Sequence, residues 1–164
     1  HDAYGSPSRY GAVMLDAGCD GDLMGCQNAV LLGHHMDNGT MMAPVASYGD
    51  ASWASEHPVA YVQAPGEVRA FTVRFAERIR GSEPAKRTSF ASQEDFEGWW
   101  SSRLEGACMA LDGTPPRVMR PAPLPEGAAG PVPGAEQALT LCSCSYTVAP
   151  ADARTLAYFS AEVG

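Results

Sequence analysis

Cysteine, histidine and arginine side chains are the residues of this chain whose types and spacing could carry out covalent chemistry. The chain has five cysteines, and an odd number leaves at least one thiol without a partner in the same chain. A cysteine that attacks a carbonyl carbon reacts as the thiolate, so it needs a nearby His or Arg and donors for the oxyanion that forms. Cys144, His34 and Arg154 could supply the nucleophile, the proton carrier and the cation for acyl transfer.

Each of these three residues falls at the end of a strand-like run. Cys144 lies near the end of Ala138 to Tyr146, His34 follows Asn28 to Gly33, and Arg154 begins the last apolar run of the chain. Such strand ends could converge on one rim of a small barrel. The ordinary alternatives stay open from the residues alone, because a cysteine in an apolar strand usually packs in the core and an arginine that opens a strand is usually a solvated charge.

The rest of the chain predicts a mainly β body with long loops. The 17 glycines, 13 prolines and only 18% charged residues disfavour a helical bundle. Further strands are predicted at Tyr10 to Asp16, Val59 to Gln63, Val68 to Ile79 and Arg154 to Val163, and short helical turns at Thr40 to Tyr48 and Ala51 to Glu56.

One longer helix is predicted from Ser92 to Ala110, with its first residue as N-cap and with Trp99 and Trp100 among its core-facing side chains. Cys108 within it is expected to be core packing. The proline-rich stretch from Asp112 to Gly134 cannot sustain a helix or a central strand, so it is expected to be a long surface connection.

Size and charge limit the classes of function. With 164 residues, the chain is expected to form one domain over residues 1–164. A net charge of -8 without a basic stripe argues against nucleic acid as a partner. No apolar run reaches the 18 residues of a membrane-spanning helix. We expect an N-terminal segment outside this chain, such as a membrane anchor.

Cys19 and Cys26 flank the short stretch CDGDLMGC. A disulfide could close this loop in an oxidising compartment, and two unpaired loop cysteines fit the sequence about equally well.

Several longer stretches resemble the sortase family. LGHHMDNGTMM at 32–42, TLCSCSY at 140–146 and Arg154 carry the resemblance, and the Gly-His-His-Met segment is most similar to class B sortases. Upstream, DAYGSPSRYGAVMLD resembles the family's entry segment, EHPVAYVQAPGEVRAFTVRFAE its middle hairpin, and QEDFEGWW the helix that follows. The resemblance therefore covers nearly the whole chain in the right order.

The resemblance implies a closed sortase-like β-barrel of about eight strands, with one longer helix and a few short helical turns. It implies that His34, the first histidine after Gly33, is the catalytic histidine rather than His35. Cys144 is then the nucleophile, and Arg154 holds the substrate carbonyl or its developing oxyanion. Where the family commonly has Thr just before the cysteine, this chain has a serine, which keeps the hydroxyl.

Two further residues are assigned to substrate binding, Cys142 and Ser145. Cys142 lies two residues before Cys144, so it is expected on the same face of the strand. The equivalent position in similar enzymes borders the substrate groove. A merely packed thiol at Cys142 fits the sequence nearly as well.

The function implied is that of a cysteine transpeptidase without metal or cofactor. Similar enzymes cleave the sorting signal of a secreted surface protein after Thr and pass the acyl group to an amine of a peptidoglycan precursor or a pilin. The implied location is the extracellular face of a Gram-positive cell membrane.

Two other functions stay open. One is a cysteine protease, which hands the acyl group to water, although His34 precedes Cys144 and papain-type enzymes have the reverse order. The other is a non-catalytic surface binding module stabilised by a disulfide or by zinc on His34, His35, Cys142 and Cys144.

Overall fold

The computed structural model describes residues 4–81, 83–118, 135–144 and 152–163, and it describes Cys144 by its backbone only. Seven strands, two α-helices and two 3-10 helices form the regular structure of these residues. The strands are β1 Met14–Leu15, β2 Asn28–Gly33, β3 Val59–Ala64, β4 Glu67–Arg80, β5 Ala107–Ala110, β6 Glu136–Cys144 and β7 Ala153–Glu162. The helices are α1 Ala51–Glu56 and α2 Gln93–Glu105, with 3-10 helices at Ala17–Cys19 and Ala43–Gly49. Within the described residues, neither α-helix has the length and hydropathy that crossing a bilayer would require.

The seven strands form one sheet in the order β1-β2-β6-β7-β4-β3, with β5 also paired to β4. The mainly β prediction is confirmed, and the seven strands are close to the predicted number of about eight. The predicted closure into a barrel is not confirmed for the described residues. Their sheet is open, because β1 pairs only with β2 and β3 only with β4. The chain has φ +67 at Gly11, outside the strand region, and the first strand shortens from the predicted Tyr10 to Asp16 to two residues.

Most predicted elements lie within two residues of their observed positions. The main exception is the end of the predicted helix. Gly106 caps α2, and residues 107–110 form β5 against β4 instead of a further helical turn. This places Cys108 on an exposed strand position, so its predicted core role is wrong. Tyr146 and most of the proline-rich connection, residues 119–134, lie outside the described residues.

Both faces of the central sheet are covered, which explains why nearly every residue of β7 is buried. Leu156 and Tyr158 pack into one cluster with Trp99 and Trp100 of α2, as predicted for the two tryptophans. Phe159 and its alternating neighbours pack into a second cluster with the Ala43–Gly49 helix. Strands β6 and β7 are therefore held from both sides, and their ends provide a rigid base for any site built there.

The Cys19 and Cys26 thiols lie against each other beside the start of β2. Their Sγ atoms are 2.7 Å apart, and the Cys26 Sγ is 3.3 Å from the carbonyl oxygen of Asn28. Burial, together with the neighbouring Cys19 thiol, raises the pKa of Cys26 to about 12. The Cys26 thiol is therefore mostly protonated at neutral pH. Joining the two thiols as a disulfide removes two electrons and two protons, so it needs an added oxidant.

We expect Cys19 and Cys26 to join as a disulfide when a disulfide oxidant is supplied. Closing so short a loop should stabilise the fold by about 2–3 kcal/mol and raise Tm by about 5–10 °C. Peptide mapping under non-reducing conditions and thermal unfolding with and without reductant measure both effects. Cys108→Ser is the control, because that exposed thiol is outside the pair. Two free thiols and an unchanged Tm after oxidant treatment would rule the disulfide out.

Candidate active site

Three strand ends lie side by side at one edge of the sheet. Strands β2 and β6 are parallel, with Gly33 opposite Ser143, and β6 and β7 are antiparallel, with Cys144 opposite Arg154. His34 directly follows Gly33. Neighbouring strands are separated by about 4.8 Å. The register therefore brings the backbone positions of His34, Cys144 and Arg154 within side-chain reach of one another.

A cavity of about 190 Å³ opens at this edge. His34, Arg154 and Cys142 form part of its wall, and Cys142 is only 5% exposed. The remaining residues of the wall are Ala12, Met14, Leu32, Gly33 and Lys86. The structure thus places predicted substrate-binding Cys142 beside two predicted catalytic residues. Ser145 and the side chain of Cys144 lie outside the described part of the chain.

The guanidinium of Arg154 is fixed by the backbone next to it. Its Nη1 donates to the carbonyl oxygens of Asp152 at 2.8 Å and Ala153 at 2.9 Å. Gly81 lies close on another side, where a Cβ atom would be 3.4 Å from the guanidinium carbon. Both of these acceptors are neutral, and no carboxylate of the described residues pairs with Arg154. The guanidinium can therefore attract a carbonyl oxygen that gains negative charge.

The His34 imidazole is positioned by the segment that precedes β1. Gly11 has φ +67, and a Cβ atom there would lie 2.7 Å from Cδ2 of the His34 ring. The backbone of His34 is held by a hydrogen bond from the Met42 N–H to its carbonyl oxygen, 3.0 Å long. Among the described residues, the ring has no hydrogen-bond partner. An exposed imidazole packed on one face can exchange protons with a bound substrate.

His35 is placed differently from His34. It forms an isolated bridge with Met41, and it lines a second cavity, of about 400 Å³, together with His34, Arg9, Met36 and Asp37. His35 is not part of the wall that contains Cys142 and Arg154.

Two residues of the site were not predicted from the sequence, Lys86 and Gly11. Lys86 is the only lysine of the chain, which is a sequence signal, but nothing local connects it with positions far along the chain. Gly11 lies within a predicted strand, and its role depends on a contact with His34 that only the folded chain makes.

The described fold is similar to several solved structures. Sortase B of Clostridium perfringens matches with a TM-score of 0.73 and 18% sequence identity, over 99% of this chain and 79% of that one. A Staphylococcus aureus sortase B-substrate complex matches with a TM-score of 0.73 and 16% identity, over 98% and 66% of the two chains. Sortase B from the type II pilus of Streptococcus pneumoniae matches with a TM-score of 0.70 and 16% identity, over 99% and 82%.

The chain has a sortase fold. The fold predicted from LGHHMDNGTMM and TLCSCSY is thereby confirmed, and the three structures just named are all of sortase B. No protein-family model matches the sequence, and comparison with curated proteins gives no match. At 16% to 18% identity, the likeness to these three structures lies in the course of the backbone. The likeness therefore assigns no role to individual side chains of this chain.

Proposed function

We propose that this chain is a sortase-type cysteine transpeptidase whose nucleophile is Cys144, and that residues 1–164 form a single catalytic domain. The observation that carries the proposal is the strand register, which aligns the positions of His34, Cys144 and Arg154 at one edge of a sortase fold. A cavity lies at the same edge and provides space for a peptide carbonyl.

The first half-reaction cleaves a peptide after Thr. The Cys144 thiolate attacks the Thr carbonyl carbon, and the carbonyl oxygen takes up the electron pair. Arg154, held by two backbone carbonyls, stabilises that negative charge. The oxyanion then re-forms the carbonyl and expels the amine, which takes a proton from His34. The products are a thioester on Cys144 and a free C-terminal fragment.

The second half-reaction transfers the acyl group to an amine. His34, now neutral, takes a proton from the incoming amine as its nitrogen attacks the thioester carbonyl. The new amide bond forms, the C–S bond breaks, and the Cys144 thiolate returns. Cys142 borders the bound peptide from the wall of the cavity, and Ser145 is assigned to substrate binding as well.

The proposed donor is the sorting signal of a secreted surface protein, and the proposed acceptor is an amine of a peptidoglycan precursor or a pilin. The proposed location is the outer face of a Gram-positive cell membrane, where an N-terminal segment outside this chain would hold the domain.

The products formed with and without an amine acceptor distinguish transpeptidation from proteolysis. The protein is incubated with a library of peptides in which Thr is followed by a variable residue, with and without triglycine, and mass spectrometry identifies the products. We expect products in which triglycine is joined to the Thr carbonyl, with hydrolysis suppressed as triglycine rises. Hydrolysis alone, at a rate that triglycine does not change, would support the cysteine protease instead.

Arg154 offers a test of oxyanion stabilisation. Arg154→Gln should lower kcat by about 10²–10³-fold with a smaller change in KM, because the interaction strengthens as charge develops. Arg154→Lys should recover only part of kcat, since an ammonium cannot reproduce the geometry of a guanidinium held by two carbonyls. Steady-state rates of triglycine product formation measure both variants. A change confined to KM would instead assign Arg154 to ground-state binding.

Gly11 offers a test of His34 positioning. Gly11→Ala should lower kcat/KM by about tenfold or more, because the new Cβ would displace the His34 ring that lies 2.7 Å away. Gly66→Ala is the matched control, since Gly66 has a similar φ of +82 but no heavy atom within 4 Å of an added Cβ. Both variants should lose similar stability in thermal unfolding. Equal kcat/KM in the two variants would contradict the positioning role.

A further inference from the structure

Lys86 is a cation of the candidate site that the mechanism above does not use. It lines the same cavity as His34, Cys142 and Arg154. Its position is set by its neighbours: Ala85 before it is fully buried and accepts a hydrogen bond from the Trp99 indole, 3.3 Å long. An exposed lysine on a fixed backbone can direct its ammonium into a neighbouring cavity.

The next residue along the chain is also anchored. Both terminal nitrogens of Arg87 reach the carboxylate oxygens of Asp95, at 3.1 Å and 2.7 Å. Lys86 therefore extends from a segment that is fixed on both sides. This differs from a lysine on a freely moving surface loop.

The charge of this cavity is unbalanced. Its described lining contains two basic side chains, Lys86 and Arg154, and no Asp or Glu. Neither cation has an ion-pair partner among residues 4–81, 83–118, 135–144 and 152–163. The sequence between Cys144 and Asp152, SYTVAPA, also contains no acidic residue. In a chain of net charge -8, this pair of unmatched cations requires an explanation.

The rest of the lining adds no charge that would oppose an anion. Ala12, Met14, Leu32 and Cys142 are apolar, and Cys142 is only 5% exposed. No acidic side chain of the described wall therefore repels a bound carboxylate. The neighbouring cavity differs, because Arg9 is accompanied there by Asp37.

We propose that Lys86 is a carboxylate-binding residue of this site, so that the peptide donor or the amine acceptor carries a carboxylate close to its reacting atom. The proposal rests on the proposed function for the identity of that reacting atom. The Lys86 ammonium donates to the carboxylate, while Arg154 remains available to the carbonyl oxygen of the scissile bond.

A pair of alkylating reagents tests this without knowledge of the sorting signal. Iodoacetate and iodoacetamide form the same S–C bond with a thiolate and release iodide, but only iodoacetate carries a carboxylate. The rate of each reaction at Cys144 is measured by peptide mapping and divided by its rate with glutathione. The exposed Cys108 serves as an internal thiol outside the cavity.

The ratio of the iodoacetate rate to the iodoacetamide rate should be about tenfold higher at Cys144 than with glutathione. At Cys108 the ratio should equal that with glutathione. Lys86→Gln should remove most of the preference, and Lys86→Arg should keep it. A ratio at Cys144 that equals the glutathione ratio, or that Lys86→Gln leaves unchanged, would overturn the proposal. Failure of Cys144 to react with either reagent while the glutathione control reacts would count against the proposed function, and so also against this inference.

Two further comparisons distinguish the sources of the carboxylate. Glycine is compared with glycinamide as acyl acceptor, and peptides with Glu after the cleaved Thr are compared with those that have Gln there. If glycine reacts faster than glycinamide and Lys86→Gln abolishes the difference, the carboxylate belongs to the acceptor. If peptides with Glu after the cleaved Thr react faster than those with Gln and Lys86→Gln abolishes the difference, the carboxylate belongs to the donor peptide. Equal rates in both comparisons, in the unmodified protein, would overturn the proposal even if the reagent test succeeded.

Discussion

Replacing Cys144 with alanine is expected to abolish acyl transfer, because its sulfur would hold the acyl group between the two half-reactions. The expected loss of kcat/KM is at least about 10⁴-fold. The rate of triglycine-dependent product formation measures it, with circular dichroism as a check that the variant is folded. The variant should also lose the thiol that inactivating reagents modify.

The matched control is Cys142→Ala, the same substitution two residues earlier on β6. The Cys142 thiol lies in the cavity wall and is 5% exposed. Its removal should alter packing without removing the attacking atom, so activity should fall by no more than about tenfold. A folded but inactive Cys142→Ala variant, together with an active Cys144→Ala variant, would mean that the nucleophile is Cys142.

The second large effect is expected for His34→Ala, which should lower kcat by about 10²–10⁴-fold through loss of proton transfer to the leaving amine. His35→Ala is the matched control, because His35 follows directly in the sequence but is not part of the wall that contains Arg154 and Cys142. The same triglycine assay measures both variants. A larger loss for His35→Ala would exchange the roles of the two histidines.

The proton-transfer role of His34 has a second readout. A donor in which an ester replaces the scissile amide has a leaving group that needs little protonation. The His34→Ala variant should therefore lose much less acylation rate with the ester than with the amide. An equal loss with both donors would point to a structural role for His34, such as closing the cavity wall.

The local elements of the fold were predictable because short-range patterns determine them. Strand β2 has its predicted bounds, and the hairpin of β3 and β4 is correct within a residue, since β-branched and aromatic runs flank a tight turn. The end of α2 was harder to predict. Ala107 to Ala110 has helical spacing, yet pairing with β4 outweighs the weak helical tendency of a segment that follows Gly106.

The open edge of the sheet at β1 was not predictable from residue patterns. The predicted strand began at Tyr10, but φ is positive at Gly11 and the chain there is outside the strand conformation, so β1 begins only at Met14. The sequence pattern at Tyr10 to Asp16 is compatible with a full strand. The contact of Gly11 with the His34 ring shows why a glycine is suited to this position.

The candidate site was predictable only in part, because it depends on pairings between distant parts of the chain. Strand ends at His34 and Arg154 could be identified locally, but the parallel pairing of β2 with β6 joins residues more than 100 positions apart. The resemblance of LGHHMDNGTMM and TLCSCSY to sortases supplied that link in advance. Lys86 belongs to neither stretch, so its place in the cavity wall became apparent only from the structure.

The most direct test of the central claim is identification of the residue that carries the acyl group. The protein is mixed with the peptide library in the absence of amine, quenched in acid, and examined by intact mass and by peptide mapping. We expect one hydroxylamine-labile acyl adduct per chain, located on Cys144. An adduct on Cys142, on Cys108 or on no cysteine, from a preparation that turns over the same peptides, would contradict the account.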